Sequence, residues 1–311
     1  MADASSAARE IIGGAITHDS AEKHVSGRAL YVDDMPEPSG LLHLALGLSE
    51  KAHARIVQLD LGAVRAAPGV VIVLTSADVT GKNDVSPIAG DDPLFADGEA
   101  LYHGQALFAV AAETREAARA AARLARVTYE ERPSLLDISA ARQANSTIEE
   151  AKIFTMGDAA LALGNAKHRL QGRIVMGGQD HFYLEGQVAM ATRGEDGDLT
   201  VYSSTQNPSE MQHVVARVLA LPAHQVICEV RRMGGGFGGK ETQSAQIAAA
   251  VALATARTGR PSKLRLDRDD DMILTGKRHD FEAEFDVGFD GDGRLAGVDL
   301  NLASRCGYSA D

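Results

Sequence analysis

Cysteine is scarce in this sequence, with Cys228 and Cys306 alone among 311 residues. Two thiols build no disulfide framework and point to a reducing compartment. They also exclude an iron–sulfur cluster held by this chain alone, because such clusters take four cysteines each. Long hydrophobic runs are absent too, and no stretch approaches the ~20 apolar residues of a membrane-spanning helix. The first ten residues carry neither a basic nor an apolar region, so no secretory signal is visible. Positive charge is in deficit. The 31 lysines and arginines face 43 aspartates and glutamates, a net charge of −12, with no basic block anywhere. A nucleic-acid partner needs a clustered basic face and is disfavoured on that ground.

What is present is an ordinary apolar share of 45%, in a chain long enough for two domains with separate cores. Residues 1–20 read as a flexible leader. From residue 25 the pattern becomes short strands broken by Pro and Gly. Apolar runs at 41–48, 69–74 and 105–112 have strand length, and the Ala- and Arg-rich stretch 115–126 has strong helix propensity. This predicts a mixed α/β domain over 21–135. Residues 136–168 read as a helix-poor connector with a short helix after Asp158. A second unit, 169–311, opens with strands near 172–177 and 199–203. Asn207, Pro208 and Glu210 form a helix start, with an Asn cap, Pro at the first helical position and an acid in the first turn. A long helix is predicted over 241–256, closed by Gly259 and Pro261. Strands at 281–289 and 295–302, joined through Asp290 and Gly293, predict an antiparallel hairpin. The sequence stops just after a strand, which reads as a truncation.

The densest glycine run is 234–241, Gly-Gly-Gly-Phe-Gly-Gly-Lys-Glu. It fits G-x-x-x-x-G-K-[ST] except at the last position, where Glu241 replaces the hydroxyl that holds magnesium, so the P-loop reading fails. It also fits G-x-G-x-x-G after a strand at 226–230. There the candidate ribose acid, Asp267, lies 28 residues beyond Gly239 rather than roughly 20. That strand also carries Glu229 and Arg231 among its apolar residues, unlike a parallel strand buried on both faces. Because each glycine costs backbone entropy on ordering, so dense a run predicts that the loop backbone approaches an anion or cofactor closely. Asp267 to Asp271 invites a calcium reading, but the sixth and twelfth positions are Met272 and Arg278, so a solvated acidic loop or helix cap is expected. His181 lacks a second ligand at helical spacing and reads as structural. In 177–185, paired glycines precede Gln179, whose amide is able to donate to an oxo group, although as an isolated residue it also reads as a simple turn residue.

Taken together, residues 27–34 (GRALYVDD), 53–56 (HARI), 104–105 (GQ), 129–131 (YEE), 178–185 (GQDHFYLE), 204–207 (STQN) and 234–241 (GGGFGGKE) resemble the molybdopterin-binding large subunit of bacterial xanthine dehydrogenases, in the xanthine oxidase and aldehyde oxidase superfamily. The resemblance runs from about residue 21 to the end. It implies an α+β fold, an N-terminal α/β hammerhead domain followed by the first part of a molybdenum-cofactor-binding domain. Carried over residue by residue, Gln179 is the glutamine that hydrogen-bonds a molybdenum oxygen. Phe237 and Gly238 are the loop backbone that contacts the cofactor. Glu241 becomes the substrate-pocket glutamate that engages a purine and stabilises charge on its ring.

The chemistry so implied is base-assisted attack of molybdenum-bound hydroxide on a purine carbon of hypoxanthine or xanthine, with hydride passing to a sulfido ligand. Electrons then pass to Fe–S clusters and FAD on a cysteine-rich partner subunit, with NAD as acceptor there. The assembly implied is a cytoplasmic heterotetramer of two unlike subunits, each present twice, with no nucleic acid and no membrane. The general-base glutamate, a substrate arginine and most other cofactor contacts lie, by the same resemblance, beyond Asp311, so this chain alone is expected to be inactive. Rival readings are an aldehyde oxidase or N-heterocycle hydroxylase of the same superfamily, a non-catalytic binding or assembly module, and a nucleotide-binding dehydrogenase.

Overall fold

The computed structural model describes residues 13–310. Its strands are β1 (Leu42–Leu48), β2 (Ala54–Asp60), β3 (Val70–Leu74), β4 (Glu99–Ala100), β5 (Ala106–Ala112), β6 (Arg126–Glu131), β7 (His168–Met176), β8 (Val188–Arg193), β9 (Leu199–Ser203), β10 (Val226–Glu229), β11 (Ser262–Arg265), β12 (Phe281–Phe289) and β13 (Leu295–Ser304). The helices are α1 (Ala21–Val25), α2 (Gly62–Arg65), α3 (Arg115–Ala122), α4 (Ile138–Gln143), α5 (Ala159–Asn165), α6 (Pro208–Leu219), α7 (Ser244–Thr258) and α8 (Arg268–Leu274).

Seven strands form one mixed sheet in the order β10-β9-β8-β11-β1-β5-β3. Strand β5 is buried along its whole length, as its unbroken apolar sequence requires. It feeds two cores, Ala106, Ala109 and Ala111 on one side and Leu107, Phe108 and Val110 on the other. Helices α6 and α7 cover the first side. The alanines of α7 lie against β8, β9 and β11, and short side chains permit that close approach. Helix α3 covers β1 and β5 on the other side, capped by Thr114, whose hydroxyl accepts from the Ala117 amide. The parallel pair β1–β11 joins strands from the first and last thirds of the chain, with Leu42 beside Ser262. A small sheet, β4-β2-β6, flanks this body.

The third sheet, β13-β12-β7, has two unlike faces. One alternates Arg169, Arg173, Glu282 and Asp286 in ion pairs, including Arg169 Nε to Asp286 Oδ1 at 2.7 Å. The other presents Leu170, Ile174, Leu300 and Leu302, all exposed.

Several expected boundaries shift. Helix 115–126 ends at Ala122, because Arg126 already belongs to β6. Helix 241–256 becomes 244–258. The Lys240 carbonyl accepts the Gln206 amide and the Thr205 hydroxyl rather than the fourth amide of a helix, so Glu241 stays in the loop. The strand expected from residue 25 does not form: α1 ends at Val25, and the stretch to Asp34 holds a single 3₁₀ turn at Val32–Asp34. The connector holds two short helices, α4 and α5, the latter capped by Asp158. Of the leader, residues 1–12 lie outside the described residues, and 13–20 carry no helix or strand.

Candidate functional site

Three segments meet beyond the ends of β7, β9 and β10. They are the β7–β8 loop carrying Gln179 to Gln187, the turn from β9 into α6, and the glycine loop between β10 and α7. Helix α8 closes the base. Asp267 caps it by accepting the Asp270 amide, which places Asp271 one turn further in, only 2% exposed. The acidic run is therefore a helix cap, the second of the two expectations, with Asp269 exposed, Asp270 paired with Arg119 and Asp271 buried. Asp271 accepts from the Tyr183 hydroxyl at 2.7 Å and the Gln187 amide at 2.9 Å. Burial and that carboxylate push the Tyr183 phenol above its ordinary range.

Gln179 lies in a bridge with Arg278, the two exchanging both backbone bonds at 3.0 Å. It is exposed, and its side-chain amide bonds no described residue. Asp180 next to it accepts from Lys277 at 3.1 Å and from the Phe182 amide at 2.7 Å. Burial alone would raise the Asp180 carboxyl, but these donors hold it below its usual value. The His181 ring packs on the glycine loop so closely that a Cβ on Gly239 would lie 2.6 Å from it.

The loop itself is anchored at its ends and open in the middle. The Gly234 amide donates to Glu185 Oε2 at 2.7 Å, and the Gly238 amide to Gln206 Oε1 at 2.8 Å. Lys240, with no solvent exposure, donates to Ser204 Oγ at 2.7 Å and Glu185 Oε2 at 3.3 Å. Burial pushes its ammonium below the ordinary value, with Glu185 acting against that shift. The amides of Gly235, Gly236 and Phe237 donate to no described residue. Gly235, Phe237 and Gly238 all have positive φ, at 97°, 54° and 94°. For Phe237 this is a strained conformation, and its ring is 74% exposed. Tight packing leaves no room for side chains here, since a Cβ on Gly236 would lie 2.5 Å from Gln206 Oε1.

Phe237, Gly238 and Glu241 thus share one loop. Gln179 stands on the adjoining segment, which touches that loop through His181 and Gly239 and makes no hydrogen bond from Gln179 to it. Glu241 is exposed. The Gly235, Gly236 and Phe237 amides, with Gly236 itself buried, and the exposed Gln179 carboxamide on the adjoining segment bond no described residue, and unpaired N–H groups of this kind suit the oxygen atoms of an anionic ligand. Sequence reasoning assigned no role to Glu185, Gln206, Lys240 or Asp271. For Asp271 a signal existed: Asp267, Asp271, Leu274 and Thr275 follow the spacing of one helix face.

Residues 141–311 match the family model of the molybdopterin cofactor-binding domain, and residues 26–133 match that of the aldehyde oxidase and xanthine dehydrogenase a/b hammerhead domain. The chain belongs to the xanthine oxidase family, which includes the aldehyde oxidases and xanthine dehydrogenases. It is 41% identical over 303 residues to xanthine dehydrogenase of Drosophila subobscura, covering 96% of this chain and 22% of that protein. It is 39% identical to xanthine dehydrogenase/oxidase of Mus musculus, covering 97% of this chain and 23% of that one. Aldehyde oxidoreductase from Desulfovibrio gigas superposes with a TM-score of 0.84 at 27% identity, over 93% of this chain and 34% of the other. The chain spans less than a quarter of the length of these curated relatives. Among the described residues, no helix is long and apolar enough to cross a membrane.

Proposed function

We propose that this chain supplies the cofactor-facing and substrate-facing loops of a molybdenum hydroxylase that oxidises hypoxanthine and xanthine towards urate. The observation that carries the reading is one loop in which the Gly235 to Phe237 amides bond no described residue and Glu241 is exposed, next to the segment that carries the unbonded Gln179 carboxamide. The bound molybdenum–molybdopterin cofactor supplies the two-electron oxidation, with water as the source of oxygen. Gln179 donates its amide protons to a cofactor oxygen, and Phe237 offers its open backbone amide. The Gly238 amide is held by Gln206, so this residue serves through its left-handed conformation, which turns the loop. Glu241 accepts from a ring N–H of the purine and orients it.

The whole enzyme, in this reading, is cytoplasmic, passes electrons to a partner subunit carrying Fe–S clusters and FAD, uses NAD there, and assembles as a heterotetramer. The 311-residue chain alone neither retains the cofactor nor turns over xanthine, and molybdenum near one atom per isolated chain, measured by mass spectrometry, would contradict this. The likeness to an aldehyde oxidoreductase supports a second reading, aldehyde oxidation. Glu241→Val in the complete loaded enzyme separates the two. Loss of a specific polar contact to the ring predicts a fall in kcat/KM for xanthine of about 10²–10⁴-fold with aldehyde turnover retained. Intact xanthine turnover would refute the purine assignment.

A further inference from the structure

We propose that Glu185 and Lys240 are a positioning pair that fixes the glycine loop, so that a largely buried carboxylate bonded to the loop's own donors sets where Phe237 and Glu241 stand. A single oxygen, Glu185 Oε2, gathers three donors from two segments: the Gly234 amide at 2.7 Å and Lys240 Nζ at 3.3 Å from the glycine loop, and the Ser204 hydroxyl at 2.5 Å from the turn after β9. Gly234 opens the glycine run and Lys240 immediately precedes Glu241, so one carboxylate holds the run on both sides of Phe237. The Glu185 amide also donates back to the Gly234 carbonyl at 3.1 Å. Lys240 Nζ lies 4.6 Å from the centre of the Tyr183 ring, and Tyr183 is tied through Asp271 to α8. Gln206 then holds the inner amides of Gly238 and Lys240, at 2.8 and 3.3 Å. What these bonds leave unoccupied is the run of amides from Gly235 to Phe237.

A buried ion pair is an inefficient stabiliser, because desolvating two charges cancels most of their attraction, and apolar residues of equal volume often serve as well. Its directional bonds, by contrast, fix two chain segments in a single arrangement. The pair in this site holds the loop at Gly234 and at Lys240, the residue just before Glu241. The identity of the ligand rests on the proposed function, whereas the fixing of the loop does not.

The test replaces the pair with apolar residues, Glu185→Leu with Lys240→Met, in the 311-residue chain. Amide hydrogen exchange is read by mass spectrometry over residues 232–243, with α7 and β8 as internal references. Loss of a charge-assisted anchor predicts exchange over 232–243 faster by roughly ten- to a hundredfold, with α7 and β8 unchanged. Unchanged exchange in the loop, or an equal rise in α7, would overturn the proposal. Should that double variant not fold, Glu185→Gln decides the matter, because it keeps the shape and must still loosen residues 232–243 alone. In the loaded enzyme Glu185→Gln adds a second readout. A displaced Glu241 raises KM for xanthine by about tenfold and leaves KM for an aldehyde unchanged, whereas a purely structural pair lowers the active fraction and moves neither KM. Failure of the xanthine assignment would leave the exchange result standing.

Discussion

Replacing Asp271 with alanine removes an almost fully buried carboxylate that accepts from the Tyr183 hydroxyl at 2.7 Å, the Gln187 amide at 2.9 Å and the Thr275 hydroxyl at 3.2 Å. The three donors lose unequal amounts. The Thr275 hydroxyl keeps its shorter bond, 2.7 Å, to the Asp271 carbonyl. The Gln187 amide is rigid backbone and has no second acceptor. The Tyr183 hydroxyl still accepts from Gln187 Nε2 at 3.0 Å, but its own proton loses its place. Two buried donors are therefore orphaned, at about 1–3 kcal/mol each, for a total of about 2–6 kcal/mol. Against the roughly 5–15 kcal/mol that holds a domain folded, that is a large fraction. Asp271→Asn keeps an acceptor for Gln187 and turns an NH₂ towards Tyr183, so about 1–3 kcal/mol is expected. Urea titration at pH 7, followed by far-ultraviolet circular dichroism, gives both values. A Tyr183→Phe cycle isolates the pair, and its coupling should fall at about 0.5–3 kcal/mol. A loss below about 1 kcal/mol for the alanine variant, or no coupling, would refute the reasoning.

Gly239→Ala brings a methyl group to 2.6 Å from the His181 ring and should cost about 1–3 kcal/mol, read as a lower urea midpoint; an unchanged midpoint would mean that the ring yields freely. Burial pushes the Cys228 thiol up to about 12, so at pH 8 iodoacetamide should spare Cys228 in the folded chain and label it after denaturation. The folded value is raised, so this contribution to stability is complete below the unfolded thiol's range, near 8.5, and is lost as pH climbs towards about 12. Native labelling of Cys228 at the rate of a free thiol would contradict the effect assigned to its partial burial.

Much of the local structure was legible because its causes are local. Asn207 and Pro208 marked the start of α6, and the Asn207 side chain does accept the Glu210 amide. The β12–β13 hairpin followed from alternation around a glycine turn. Strand β8 was not read, because its short sequence carries no alternation strong enough to distinguish it from a buried turn or helix. The adjacency of β1 and β11 left no mark at all, since parallel pairing across most of the chain depends on tertiary packing. The same holds within the candidate site. Glu185 and Lys240 belong to the two segments that stood out in sequence, yet their burial as a pair arises only when β9 brings Ser204 between them. The roles of Gln179, Phe237, Gly238 and Glu241 came from resemblance, and the geometry adds which amides are open.

The β1–β11 pair also bears on how the chain is made. Leu42 and Ser262 are about 220 residues apart, so β1 lacks one of its two neighbours until β11 has been synthesised. At ~5–20 residues per second that delay is about 10–45 s. Until β5 has followed, β1 lacks both neighbours; thereafter β5 can cover one edge, and the other remains an open template of unpaired amides and carbonyls. Nascent chains stalled before residue 262 should therefore recruit chaperones more strongly than chains stalled beyond it.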